Sequence, residues 1–106
     1  MARVVVNVPA RAKKGEVLEI RTLAEHPMES GFRRTQLGEV VPRDIVTQFT
    51  CTYNGVEVFR VDVHPAMAVN PLIAFTTVAT ESGELVFRWV GDRDYSASHT
   101  ARIVVD

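Results

Sequence analysis

Short apolar runs alternating with polar residues extend almost the full length of this chain, at the two-residue period of strands. Val4, Val6 and Val8 alternate with Arg3, Val5 and Asn7 until Pro9, which cannot donate to a ladder. Lys13-Lys14-Gly15 turns the chain into a run from Glu16 to Ala24, where Leu18 and Ile20 alternate with Glu19 and Arg21. A third run, from about Ile45 to Tyr53, puts Ile45, Phe49, Cys51 and Tyr53 on one face and Gln48, Thr50 and Thr52 on the other. Asn54-Gly55 follows at once, and Asn-Gly between two such runs is the strongest short-range hairpin signal. The returning run, Val56 to Val63, places Phe59, Val61 and Val63 opposite Arg60 and Asp62.

His64 to Pro71 reads as a connection bounded by prolines, with room for one loose helical turn. Leu72 to Ala79 is the next predicted strand, and Glu81-Ser82-Gly83-Glu84 the next turn. Leu85, Phe87 and Trp89 then alternate with Val86 and Arg88, Gly91-Asp92-Arg93-Asp94 turns again, and His99 to Val105 closes the chain. Val, Ile, Thr and Phe dominate these runs, and no segment shows a helical period. The prediction is an all-β fold: an immunoglobulin-like β-sandwich of about seven antiparallel strands, forming one domain over residues 1–106.

One stretch breaks the rhythm. From His26 to Arg43 no regular structure is predicted, and loops of that length in a compact domain are commonly functional. Arg33, Arg34 and Arg43 sit in it close to Met28 and Phe32. They read either as solvated charge or as a docking surface, since Arg with Met or Phe is the composition interface cores favour. His26 and His64 each precede a proline, where a turn-stabilising or solvated ring is the simpler reading and a pH-sensitive or ligand-binding role the alternative.

Composition removes several classes of function. Twelve Lys+Arg against thirteen Asp+Glu leave a net charge of −1, which offers no general attraction to nucleic acid or to an anionic membrane. No apolar run approaches the roughly 20 residues of a membrane span. A single cysteine, Cys51, excludes an intrachain disulfide; its place on the apolar face of its strand favours a packed structural thiol, the alternative being an exposed thiol reached by a partner protein. There is no phosphate-binding glycine loop, CxxC or HExxH. Cys51 and His64 lack the second His close after the Cys that a copper site on a sandwich needs. No Ser is nominated as a nucleophile beside a base. The residues therefore nominate no catalytic group, no metal ligands and no cofactor. The N-terminus lacks an apolar signal core, which on its own reads as cytoplasmic or as a mature chain.

Particular strings carry a resemblance. His26-Pro27-Met28-Glu29-Ser30-Gly31 with Arg33-Arg34, then Pro42-Arg43, then Phe49-Thr50-Cys51-Thr52-Tyr53-Asn54-Gly55, are similar to the SoxZ family. Pro65-Ala66, Asn70-Pro71, Ala74-Phe75, Ser82-Gly83, Phe87 and Trp89 continue the match, although Leu72 stands where the family often has an aromatic residue. The resemblance implies an immunoglobulin-like sandwich and a subunit of the SoxYZ sulfur-carrier complex of thiosulfate oxidation, without a catalytic site of its own. It implies a SoxY-type partner, as heterodimer or higher, whose C-terminal Cys bears the sulfur intermediates on a glycine-flanked arm. It also implies transient docking to the thiosulfate-attaching cytochrome, the sulfate-releasing hydrolase and the sulfur dehydrogenase. The implied location is the periplasm, reached with the partner's signal, which replaces the cytoplasmic reading. The alternative is a stand-alone β-sandwich that binds a small anion or peptide through the 26–43 loop.

Overall fold

The structure, a computed structural model, describes residues 3–63 and 69–106. The loose helical turn expected between His64 and Pro71 falls largely outside them. Among the described residues the strands are β1 (Val4–Asn7), β2 (Arg11–Ala12), β3 (Val17–Ala24), β4 (Val46–Tyr53), β5 (Val56–Asp62), β6 (Leu72–Val78), β7 (Gly83–Gly91) and β8 (Ser96–Val105). They form two sheets, ordered β1-β3-β6 and β2-β8-β7-β4-β5. The sandwich is as expected, and among the described residues it has no helix.

Two details differ from the sequence reading. Among the described residues there are eight strands where about seven were expected, and the short β2 runs parallel to β8, so the fold is not wholly antiparallel. The cause is Pro9: the β1 ladder ends before it, and the chain crosses to the other sheet to make a two-residue strand. In addition, β8 begins at Ser96, ahead of the expected His99. The one buried position ahead of His99 is Ala97, whose small side chain gives little hydrophobic signal.

The inward alternation fills the core as the sequence pattern requires. Leu18 and Ile20 from β3, Phe49 and Cys51 from β4, and Leu85, Phe87 and Trp89 from β7 are all fully buried. A register shift between Val46 and Gln48 changes which residues face inward, so Val46 joins Ile45 and Phe49 in the core. A second shift on β4–β5 leaves Val58 as the extra residue opposite Cys51 and Thr52. Phe59 and Phe75 stack across the open side between β5 and β6. The body is long and narrow, 59 × 20 × 18 Å, with a radius of gyration of 16.1 Å, against about 13 Å for a compact chain of this length.

Candidate functional site: one end of the sandwich and its finger

The end of the sandwich where β3 stops and β4 begins gathers several of the strings singled out in the sequence. The His26 amide donates to Asn70 Oδ1 at 2.8 Å, and the Asn70 amide donates back to the His26 carbonyl at 2.8 Å. His26 is 4% exposed, so the solvated reading of this ring is corrected: its work is local and internal. Its Nδ1 accepts the Met28 amide at 3.0 Å, which puts the proton of a neutral ring on Nε2, 3.5 Å from Asp44 Oδ1. The ring stands edge-on to Tyr95, 4.6 Å between centroids. Pro27 then leads into Met28, whose φ of 52° lies in the left-handed region that costs a side-chain-bearing residue energy. Two bonds hold it there: the amide to His26, and the Met28 sulfur accepting the Val46 amide at 3.3 Å.

No strand forms between Ala24 and Val46, as expected, but the segment from Glu29 to Asp44 carries more order than the sequence showed. Glu29 and Asp44 form an antiparallel bridge, as do Arg34 and Val40, so the chain makes a narrow finger. Its tip is closed by Thr35 N–H to Glu39 O at 2.8 Å and Gly38 N–H to Thr35 O at 2.9 Å, with Gly38 at φ 82°. Hydrogen bonding too local to show as a hydrophobic period explains why the pattern missed it. Gly31 is needed at the base, because its φ is 91° and a Cβ there would press to 3.2 Å on Arg43 Cβ.

Charges on the finger are mostly spoken for. Arg33 forks onto Glu29, with Nη2 2.7 Å from Oε1, and this hydrogen bond holds the Glu29 carboxyl below its ordinary pKa. Arg43 forks onto Asp92 at 2.9 Å through both nitrogens, and Asp92 also accepts the Ile45 amide. That pairing, with the Arg43 bond as the largest cause, lowers the Asp92 pKa. Arg34 donates to the Gly38 carbonyl and has no carboxylate partner among the described residues. The expected surface patch of Met28 with Phe32 does not form. Met28 is 6% exposed, anchored in the core by its sulfur, while Phe32 is 86% exposed. The apolar surface of the finger is instead Phe32 with Leu37 (87% exposed) and Val40. Leu37 and Val40 were legible only as apolar residues outside any predicted strand.

Beside the finger, Glu25, His26, Asp44, Asp92, Arg93 and Tyr95 line an open cleft of about 280 Å³. Burial raises the Tyr95 pKa, and its hydroxyl has no partner among the described residues. No group of three or more His, Cys, Asp or Glu side chains is gathered to hold a metal among the described residues. Cys51 lies away from this end, 0% exposed on β4, and burial pushes its thiol up to about 12. A thiol this far from ionisation supplies almost no nucleophilic thiolate at neutral pH.

Strings from distant parts of the sequence thus share one end of the fold: His26 to Gly31, Arg33-Arg34, Pro42-Arg43 and Asn70. The family model for "Sulphur oxidation protein SoxZ" matches residues 6–102. The chain belongs to the SoxZ family. A search of curated proteins finds no sequence match. Among solved structures, the SoxZ-family chain is similar to the superoxide reductase (neelaredoxin) of Ignicoccus hospitalis, at 17% identity and a TM-score of 0.73, over 97% of this chain and 80% of that one. It is also similar to the sulfur carrier protein SoxY of Chlorobium limicola f thiosulfatophilum, at 14% identity and a TM-score of 0.66, over 97% and 78%. At these identities the likeness is one of fold. SoxZ membership rests on the family match.

Proposed function

We propose that this chain is the non-catalytic subunit of a SoxYZ-type carrier complex. It scaffolds a SoxY-type partner whose C-terminal Cys carries covalent sulfur intermediates during thiosulfate oxidation. The observation that carries the reading is the SoxZ-family match over nearly the whole chain. The state of Cys51 supports it, because the chain's one thiol is enclosed and un-ionised and cannot visit other proteins. A rigid sandwich holds the partner, and a glycine-flanked arm on that partner supplies reach.

The finger is the recognition surface of this reading. Phe32 and Leu37 at its exposed faces suit an interface core, and Arg34 adds a cation able to attract an anionic adduct or an acidic partner. The Sox cytochrome, hydrolase and dehydrogenase dock there in turn, in the periplasm, where the complex arrives on the partner's signal. The alternative of a stand-alone anion binder is weaker, because Arg33 and Arg43 already satisfy Glu29 and Asp92.

Co-expression with the neighbouring reading frame and intact-mass analysis after thiosulfate turnover tests the proposal. A sulfur adduct is expected on the partner's terminal Cys and none on this chain. An isolated chain that stays monomeric and ignores that neighbour at micromolar concentration refutes it.

A further inference from the structure

Among the described residues the two sheets leave four edges, and three of them are guarded. An exposed edge strand offers unpaired N–H and C=O groups to any passing chain, and charges or brevity are the usual protection. β1 is four residues long and flanked by Arg3, β2 is two residues long and contains Arg11, and β5 carries Glu57, Arg60 and Asp62. β6 is different. It is seven residues long, Leu-Ile-Ala-Phe-Thr-Thr-Val, and the sequence holds no Asp, Glu, Lys or Arg anywhere from Val63 to Thr80.

The ladder shows which groups it presents. At its two ends the Ala24 amide donates to the Pro71 carbonyl (3.2 Å) and the Ala79 amide to the Glu16 carbonyl (2.8 Å), and the register between them is unbroken. Antiparallel alternation therefore directs Ile73, Phe75 and Thr77 at β3. The main-chain N–H and C=O groups of Leu72, Ala74, Thr76 and Val78 point the other way, to the open edge. No described strand pairs with them. Alongside runs a largely apolar groove of about 440 Å³, lined by Tyr53, Val56, Val58, Thr77 and Val78, with the polar Asn54, Thr80 and Glu81 also on its wall.

We propose that β6 is the docking edge for the SoxY-type partner, which adds its own edge strand antiparallel to Leu72–Val78 and so continues the β1-β3-β6 sheet into the second subunit. This rests on the carrier-subunit reading above. Three observations select the occupant. The uncharged edge suits an uncharged strand, since an ionised side chain brought against it would lose water, and the one charged side chain lining the groove, Glu81, already accepts from Asn54. A strand of this length spans only about 23 Å, too little for the roughly 800 Å² per partner of a stable interface, so the occupant is a folded domain that also covers the groove. The SoxY structure has this same sandwich fold, so a SoxY-type partner brings sheet edges of its own.

Amide hydrogen exchange on the intact chain, alone and with the purified SoxY-type partner, is the test. The amides of Leu72, Ala74, Thr76 and Val78 are expected to slow by about tenfold or more on binding, whereas Ile73, Phe75 and Thr77 are already slow in the free chain. Thr76→Pro removes one outward donor and spares the β3 ladder, so partner affinity should fall by about tenfold or more. Arg60→Pro makes the matched change at an outward position of β5 and should leave affinity unaltered. If the partner binds and the four amides keep their free rates, or if folded Thr76→Pro binds as tightly as wild type, the docking edge is wrong and the carrier-subunit reading survives. No binding by the wild-type chain removes both. Protection that grows with the concentration of this chain alone identifies a second copy as the occupant and overturns the proposal. Should Thr76→Pro fail to fold, the exchange pattern of the wild-type chain decides by itself.

Discussion

Phe59 on β5 and Phe75 on β6 lie face to face, with 4.3 Å between centroids and 6° between planes, and join the edges of two different sheets. Phe49 touches both rings, at 6.1 and 6.0 Å, so the stack is rooted in the aromatic core. Phe75→Ala should destabilise the fold by about 3–5 kcal/mol, because the ring is almost wholly buried. Phe59→Ala should cost less, since Phe59 is only half-buried. A double-mutant cycle read by chemical denaturation should return a coupling of about 0.5–1.5 kcal/mol. Additive single changes would show that the stack contributes area alone.

Cys51 should resist chemistry until the chain unfolds. Alkylation at pH 8 is expected to be slow in the native chain and fast in denaturant. Cys51→Ala should cost on the order of 1 kcal/mol and leave thiosulfate turnover by the assembled system intact. The raised thiol pKa also sets a sign. An acid kept neutral by folding favours the unfolded state once pH exceeds its unfolded value, so stability attributable to Cys51 declines from about pH 8.5 upward. Flat stability of wild type relative to Cys51→Ala across that range would contradict the assignment.

Acid should loosen the finger end first. Asp92 and Glu29 both have depressed pKa values, caused chiefly by hydrogen bonds from Arg43 and Arg33. A carboxylate depressed by folding adds stability above its unfolded pKa and loses it as pH falls through the folded value. Exchange protection around Ile45 and Asp92 is therefore expected to fall below about pH 4. Asp92→Asn should remove most of that pH dependence and lower protection at neutral pH as well. Equal acid profiles for wild type and variant would mean that the Arg43–Asp92 pair is without consequence.

The finger tip should be expendable for folding and costly for function. Phe32→Ser with Leu37→Ser removes two highly exposed side chains, so stability should stay within about 0.5 kcal/mol of wild type per site. Reaction with the Sox enzymes, or hold on the partner, should nonetheless weaken. Arg33→Ala with Arg34→Ala should act in the same direction, and the deficit should shrink as salt screens the charges. Wild-type turnover by both variants at low and high ionic strength would reduce the finger to a connector.

Strand existence was legible because Leu18, Ile20, Phe49, Phe87 and Trp89 alternate with polar residues that meet water. What escaped were features set by backbone geometry. The shift at Val46 changes the inward set without changing the residue types, and Arg11–Ala12 is too short for any period. At the candidate site, Arg33, Arg34 and Phe32 announced an exposed surface through their chemistry. Met28 did not announce its burial, because a Met in a polar stretch reads the same whether its sulfur meets solvent or the Val46 amide. Asn70 was visible only as part of a family string and Asp92 as a turn residue, and their roles depend on segments about 45 residues away.

The Asn54-Gly55 turn has a further consequence for the lifetime of the molecule. Asn-Gly is a weak point of any chain, since the following amide nitrogen can close on the Asn side chain, expel ammonia and leave an isoaspartyl linkage. Here the Asn54 side chain is tethered: Oδ1 accepts the Glu84 amide at 2.9 Å, while Nδ2 donates to the Ser82 carbonyl and to Glu81 at 3.3 and 3.2 Å. Gly83 leaves the space for this, as a Cβ there would overlap the Asn54 amide. Closure would have to break these three hydrogen bonds, so ageing at this turn is slowed for as long as the β4–β5 and β7 strands stay folded together.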